Sequence, residues 1–119
     1  MRILFDHGTP RGLARALPGH MVIKTDAVAW ERLSNGALLK AAEEADFDLL
    51  LSTDQNIRYQ QDLTDRKIAV IILSGCTKWS RVRMHFERIA AAVNAAIPGS
   101  YAEVYIPFEL NPTSPSPLI

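Results

Sequence analysis

Residues 47–56 read FDLLLSTDQN, and this stretch carries the most information about the fold. Phe47 to Ser52 is an almost continuous apolar run, which is typical of a strand that is buried on both faces. Strands of this kind occur in parallel sheets whose two faces are covered by helices. The run ends at Thr53 and Asp54, where the chain becomes polar. We therefore expect a parallel strand with a polar edge directly after it.

Further apolar runs on both sides of this stretch predict four more strands. The run at 67–73 (KIAVIIL) is the most hydrophobic of them. The run at 102–106 (AEVYI) alternates in polarity, which favours a strand at the edge of the sheet. The remaining two strands are predicted at 3–5 (ILF) and at 20–24 (HMVIK).

Segments with helical spacing separate the predicted strands. Thr9 and Pro10 favour a helix start, with Thr9 as the cap and Pro10 at the first helical position. A second helix is predicted over 37–45 and a short one around 58–63. The clearest helix is predicted over 79–96, where apolar residues recur every three or four positions. Its buried stripe consists of Trp79, Val82, Phe86, Ile89 and Val93.

Strands that alternate with helices indicate an α/β domain with a mostly parallel sheet flanked by helices, a three-layer arrangement. The chain has 119 residues, which is enough for one hydrophobic core and too few for two. We expect one folded domain over residues 1–108. Residues 109–119 form a tail rich in proline and serine, for which we expect no ordered structure.

The composition excludes several classes of function. Basic and acidic residues balance at 13 each, so any binding to nucleic acid has to come from a local patch. The single cysteine, Cys76, excludes an internal disulfide and a cysteine-rich zinc site. The first apolar run is too short for a signal peptide and no run is long enough to cross a bilayer. We therefore expect a cytoplasmic protein without a membrane partner.

Three aspartates follow predicted strands. Functional grooves of parallel α/β sheets lie beyond the carboxyl ends of the strands. Asp6 and Asp54 follow the first and third strands, so they converge if those strands are neighbours, and Asp26 follows the second. Two adjacent carboxylates repel one another unless a cation such as Mg²⁺ or Mn²⁺ lies between them. Aspartate is also common in turns, and for each residue alone that interpretation is favoured.

The sequence resembles the PIN-like domains of a bacterial group that is related to the VapC-type ribonuclease toxins. The resemblance covers about residues 1–75 and is most specific over 47–63, FDLLLSTDQNIRYQQDL, before the KIAVIIL strand. The other matching motifs are ILFD-x-x-x-P at 3–10, Gly19-His20, and Trp30-x-x-Leu33-x-Asn35-Gly36-x-Leu38-Leu39.

This resemblance implies a metal-dependent nuclease on a PIN-like (Rossmann-like) sheet, with Mg²⁺ or Mn²⁺ held by acids at the strand ends. It also implies RNA as the substrate and a small antitoxin protein as a partner. Asp6 and Asp54 match the family's acids by position. His7 stands where many relatives have glutamate, and Asn35 where some have aspartate. The alternative is therefore a catalytically degenerate scaffold that binds a protein or RNA partner.

Three other residues are candidates for binding a substrate. Asn56 is placed to cap a helix or to orient Asp54, and Gln61 to contact a phosphate or a base edge. Arg81 shares one helix face with His85 and Arg88, and this face is suited to a nucleic-acid backbone. An ordinary solvated helix face gives the same pattern, and we weigh it as the stronger explanation.

A third class of protein, the signalling receiver domain, also carries acids after its first and third strands. Its chemistry needs a lysine after the fifth strand to neutralise the phosphoryl group. This chain has the sequence YIPF at 105–108 instead, so the receiver interpretation is not favoured. The sequence leaves both a monomer and a homodimer open.

Overall fold

The structure, a computed structural model, describes residues 1–57 and 66–108. Gln61, the short helix predicted around 58–63 and the tail at 109–119 lie outside the described residues. The described part contains a five-stranded sheet in the order β2-β1-β3-β4-β5, and each neighbouring pair is parallel. The strands are β1 (Arg2–Phe5), β2 (Met21–Lys24), β3 (Leu49–Ser52), β4 (Ala69–Gly75) and β5 (Tyr101–Ile106).

Helices cover both faces of this sheet, which confirms the predicted three-layer α/β fold. On one face lies helix α1 (Asn35–Glu44), which packs against the core through Leu38, Leu39 and Ala42. The other face is covered by a 3-10 helix (Arg11–Ala16), helix α2 (Trp79–Val82) and helix α3 (Phe86–Ala95). None of the described helices has the length and apolar character that crossing a membrane requires.

The third strand is buried on both sides, as its apolar run predicts. Leu49 and Leu51 pack under α3, whereas Leu50 packs under α1. All three side chains are fully buried, and each contributes about 1.5–3 kcal/mol through removal from water. Strands β1 and β3 pair directly, which is the condition under which Asp6 and Asp54 were expected to converge, and β5 lies at an edge as its alternation predicts. The strand order that the site requires is therefore present.

Three predicted helix features are wrong. Thr9 does not cap the first helix, because its hydroxyl donates a hydrogen bond to the buried carbonyl of Leu51 across the sheet, at 3.0 Å. The predicted helix over 79–96 is interrupted by a 3-10 turn (Arg83–His85). Trp79 is 39% exposed instead of belonging to the buried stripe. Its ring lies over Gly12, where a Cβ atom would leave no room for it.

Glu43 ties the end of α1 to the segment before β4. Its Oε1 lies 2.7 Å from Arg66 Nη1, and its Oε2 accepts the backbone N–H groups of Lys67 and Ile68 at 2.7 and 3.3 Å. Burial by itself would raise the pKa of Glu43. The hydrogen bonds from these three residues outweigh burial, and the pKa of this carboxyl is lowered below its ordinary 4.5.

We expect the stability that Glu43 provides to be present above pH 4.5 and lost as the pH falls through its lowered folded-state pKa. The unfolded chain binds a proton more readily than the folded chain, so acid favours unfolding. Glu43→Gln should lower the free energy of unfolding at neutral pH by about 1–3 kcal/mol, measured by urea titration. The variant should also show a weaker dependence of the free energy of unfolding on pH in the acidic range. Glu44→Gln, at the exposed neighbour, is the control, and equal effects of both variants would contradict the assignment.

Candidate functional site

The parallel pairing of β1 with β3 brings the two aspartates to one edge of the sheet. Phe5 is opposite Leu51 in the register. The ladder continues for one residue beyond β1, because Asp6 N–H donates to the Leu51 carbonyl at 3.0 Å. Asp6 is therefore level with Ser52, the last residue of β3, and Asp54 follows two residues later.

Ser52 joins the two aspartates. Its hydroxyl donates to Asp6 Oδ2 at 2.7 Å and accepts the backbone N–H of Asp54 at 3.0 Å. Ser52 is fully buried, whereas the two aspartates that it contacts are half-buried. The alternation of β3 also explains its direction: Leu51 packs under α3, so Ser52 faces the α1 side, as Leu50 does. Asp6 and Asp54 therefore share one small region.

The turn after β1 holds the Asp6 carboxylate in place. Asp6 Oδ1 accepts the N–H of His7 at 2.7 Å, and the Asp6 carbonyl accepts the N–H of Thr9 at 3.0 Å. Gly8 closes this turn with φ of +92°, a conformation that residues with a side chain rarely adopt. His7 is exposed to solvent beside this turn. The turn thus fixes a carboxylate and leaves an imidazole at its rim.

Asp54 is oriented by Asn35 and by its own turn. Asn35 Nδ2 donates to Asp54 Oδ2 at 2.9 Å, and the backbone N–H of Asn56 donates to Asp54 Oδ1 at 2.9 Å. Asn35 opens helix α1, which Ser34 caps by accepting the Ala37 N–H at 3.4 Å. Asn56 does orient Asp54, but with its backbone and not with its side chain. The resemblance placed Asn35 where some members of the group carry aspartate, but its hydrogen bond to Asp54 was not predicted.

The electrostatics of this pair leave room for a cation. Among residues 1–57 and 66–108, the ion pairs are Arg11–Asp26 and Arg66–Glu43, so none of the basic side chains in these two ranges neutralises Asp6 or Asp54. The hydrogen bonds described above come from neutral hydroxyl, amide and backbone groups. A carboxylate oxygen has a second lone pair after it accepts one such bond. The pair is therefore chemically suited to Mg²⁺ or Mn²⁺, which prefer oxygen ligands.

The other predicted acid, Asp26, makes a different contact. It lies in a 3-10 helix (Thr25–Val28) after β2, and its Oδ2 is 3.5 Å from Arg11 Nη2 in an exposed ion pair. The described residues contain no group of three or more histidine, cysteine, aspartate or glutamate side chains that could hold a metal. Of the three predicted acids, Asp6 and Asp54 are thus the two that Ser52 links, through the Asp6 carboxylate and the Asp54 backbone.

Arg81 lies at the same edge of the sheet, near the end of β5. Its Nε donates to the carbonyl of Phe108 at 2.9 Å. Further along, Arg88 Nη1 is 3.4 Å from His85 Nδ1. Burial, and then the charge of Arg88, lower the pKa of His85. Of the three residues predicted on this helix face, Arg81 is the one that contacts the segment directly after β5.

Comparison with known proteins identifies no relative: no family model, no curated protein and no solved structure matches this chain. The parallel α/β fold is shared by proteins of many activities and does not decide the function. The chemistry of the carboxyl edge, where Asp6, Ser52, Asp54 and Asn35 meet, is therefore the basis for a functional proposal.

Proposed function

We propose that this protein is a Mg²⁺- or Mn²⁺-dependent nuclease of the PIN-like type that hydrolyses phosphodiesters in RNA. The proposal includes a toxin-like role in the cytoplasm with a small antitoxin protein as the partner, as the sequence resemblance implies. The observation that carries the proposal is the bridge through Ser52, whose hydroxyl contacts Asp6 Oδ2 at 2.7 Å and the Asp54 N–H at 3.0 Å.

The donor set fits a hard divalent cation. Mg²⁺ keeps several waters and is usually bound by one or two carboxylates together with substrate phosphates, and Asp6 and Asp54 supply such a pair. When bound, the cation would polarise the phosphodiester and lower the pKa of a coordinated water. The oxygen ligands suit Mn²⁺ equally.

The chain's own residues keep this pair oriented. Ser52 fixes one oxygen of Asp6, and Asn35 fixes one oxygen of Asp54 at 2.9 Å. Residues that orient metal ligands in this way typically contribute ten- to hundredfold to affinity or activity. The two carboxylates would repel one another at close range without a cation, and the neutral hydrogen-bond donors orient each of them separately.

The second candidate function is a non-catalytic scaffold that binds a protein or RNA partner. It is favoured by the absence of a third ligand near Asp6 and Asp54 among the described residues. His7 also stands where many of the PIN-like domains that the sequence resembles carry a glutamate. The two functions differ in whether the edge of the sheet binds a divalent cation.

We expect the wild-type protein to bind Mn²⁺ at one site, measured by isothermal titration calorimetry. Asp6→Asn should weaken this binding at least about tenfold, because an amide oxygen carries no net charge to offset that of the cation. Circular dichroism should show that the fold is kept.

Asp46→Asn is the matched control for this titration. Asp46 precedes β3 at the opposite, amino edge of the sheet, and its φ of +63° is well tolerated by asparagine. Binding by this variant should equal that of the wild type. A wild type that binds no Mn²⁺, or unchanged binding in Asp6→Asn, would favour the scaffold.

A further inference from the structure

Side chains on the α1 face of the sheet continue the candidate site toward β5. Leu73 of β4 packs under α3, so the next residue, Ser74, faces the α1 side. Its neighbour in the register on β5 is Tyr105. Tyr105 faces the same side, because Val104 and Ile106 pack under α3. A hydroxyl and an aromatic ring therefore follow one another across the sheet.

Ser74 lies next to the site formed by the two aspartates. Ser52 is opposite Ile72 on the adjacent strand β4. Ser74 follows Ile72 by two residues, so it faces the same side of the sheet and lies closer to the carboxyl edge. From the usual spacing and rise of strands, the Cα atoms of Ser52 and Ser74 are about 8 Å apart. Ser74 is thus between Ser52 and Tyr105.

The Ser74 hydroxyl has no hydrogen-bond partner in the part of the chain that the structure describes, although the residue is only 3% exposed. Buried hydroxyls nearly always have a partner, because an unpaired one has lost its hydrogen bonds to water. An unpaired donor beside a candidate catalytic site indicates a contact that a ligand completes.

The end of β5 combines aromatic rings with a cation. Tyr105 is 52% exposed and Phe108 is 61% exposed. The Arg81 guanidinium is held against this end of the strand by its hydrogen bond to the Phe108 carbonyl at 2.9 Å. Rings that stack on bases and cations that neutralise phosphates are the combination by which proteins bind single-stranded nucleic acid.

On the basis of the proposed nuclease function, we propose that Tyr105, Ser74 and Arg81 bind the single-stranded nucleotides that adjoin the scissile phosphate. The Tyr105 ring stacks on a base, and the neighbouring Ser74 hydroxyl donates to a phosphate oxygen when the strand binds. Arg81 neutralises a neighbouring phosphate. The substrate is then a single strand, because the bases of a duplex are stacked on each other and not free to stack on a ring.

The proposal is tested by fluorescence anisotropy with a short fluorescein-labelled oligouridylate and EDTA, so that binding is measured without hydrolysis. Tyr105→Ala should raise Kd about five- to hundredfold, and Tyr105→Phe should keep the wild-type Kd, because the ring is retained. Arg81→Gln should reduce the slope of log Kd against log salt by about 0.7, the value for one phosphate contact on a single strand.

Ser74→Ala separates a ligand contact from a structural role. Loss of an unpaired hydroxyl should leave Tm unchanged or raise it, while Kd for the oligouridylate increases. A hydroxyl that only supports the fold would give a lower Tm with an unchanged Kd. Ile97→Ala is the control, because Ile97 is an exposed apolar residue, 65% accessible, near the amino edge of the sheet.

Three results would overturn the proposal: an unchanged Kd in Tyr105→Ala, tighter binding of the same strand paired with oligoadenylate, or a dimer that Tyr105→Ala dissociates. The last result would assign the surface to a second copy of the chain. If instead the nuclease proposal is wrong, Mn²⁺ binding and cleavage fail while these differences in Kd remain. The two failures are therefore distinguishable.

Discussion

Asp54→Asn should abolish metal-dependent cleavage of RNA, lowering the rate at least about a thousandfold. An amide has nearly the shape of the carboxylate, so it can still accept the backbone N–H of Asn56. It lacks the negative charge that binds the cation, and a metal bound at such a site stabilises the transition state by several kcal/mol. The measurement is the cleavage rate of a fluorophore-quencher RNA with Mn²⁺, alongside thermal unfolding followed by circular dichroism.

The control for this loss is again Asp46→Asn, which makes the same chemical change at the amino edge of the sheet. We expect this variant to cleave at the wild-type rate and to unfold at the wild-type Tm. If Asp54→Asn keeps its cleavage activity, the proposed site is removed from consideration. If both variants lose activity together with Tm, the loss reflects the fold and Asp6→Asn becomes the deciding comparison.

The layers and the edge position of β5 follow from patterns that are local in the sequence. A strand buried on both faces needs apolar residues at every position, and the runs around Leu50 and Ile71 have them. The alternation in AEVYI reflects a strand with one face uncovered, and β5 indeed lies at the edge with Glu103 exposed. These patterns depend on burial alone, so they could be interpreted without knowing any contact.

Contacts between distant segments account for what the sequence did not reveal. Thr9 has the properties of a helix cap, but its hydroxyl satisfies the Leu51 carbonyl on another strand. Trp79 fits the spacing of a buried stripe, but it packs over Gly12. In both cases a tertiary partner overrides a local preference, and local spacing contains no information about that partner.

The sequence predicted the charged residues of the candidate site, but not the hydrogen bonds that orient them. Asp6 and Asp54 stand out because each ends an apolar run at the edge where parallel sheets carry their sites. Ser52 carries a weaker signal, as a polar residue at an inward position of a buried strand. Asn35 stood out through the family resemblance alone, at a position where some members carry aspartate. Its partner Asp54 is 19 residues away and becomes a neighbour only when α1 packs on the sheet.

Gly75→Ala should be the most destabilising small substitution in the sheet, lowering the free energy of unfolding by about 2–5 kcal/mol. Gly75 has φ of +77°, and a Cβ atom there would collide with the carbonyl oxygen of Ile106. That oxygen also accepts the N–H of Cys76 at 2.9 Å, the hydrogen bond that holds the ends of β4 and β5 together. The strain is therefore conformational and steric at once, and urea unfolding measures it.

Gly19→Ala separates these two contributions. Gly19 has φ of +85°, and no atom lies within 4 Å of the position that a Cβ would take. This variant should lose only about 1–2 kcal/mol, the conformational part alone. The difference in free energy of unfolding between the two variants then gives the steric cost of a Cβ atom at the close approach of β5 to β4. Equal losses of stability in both variants would contradict the close approach. A larger loss in Gly75→Ala, with unchanged Mn²⁺ binding by the folded protein, would show that the substitution destabilises the sheet without changing the candidate site.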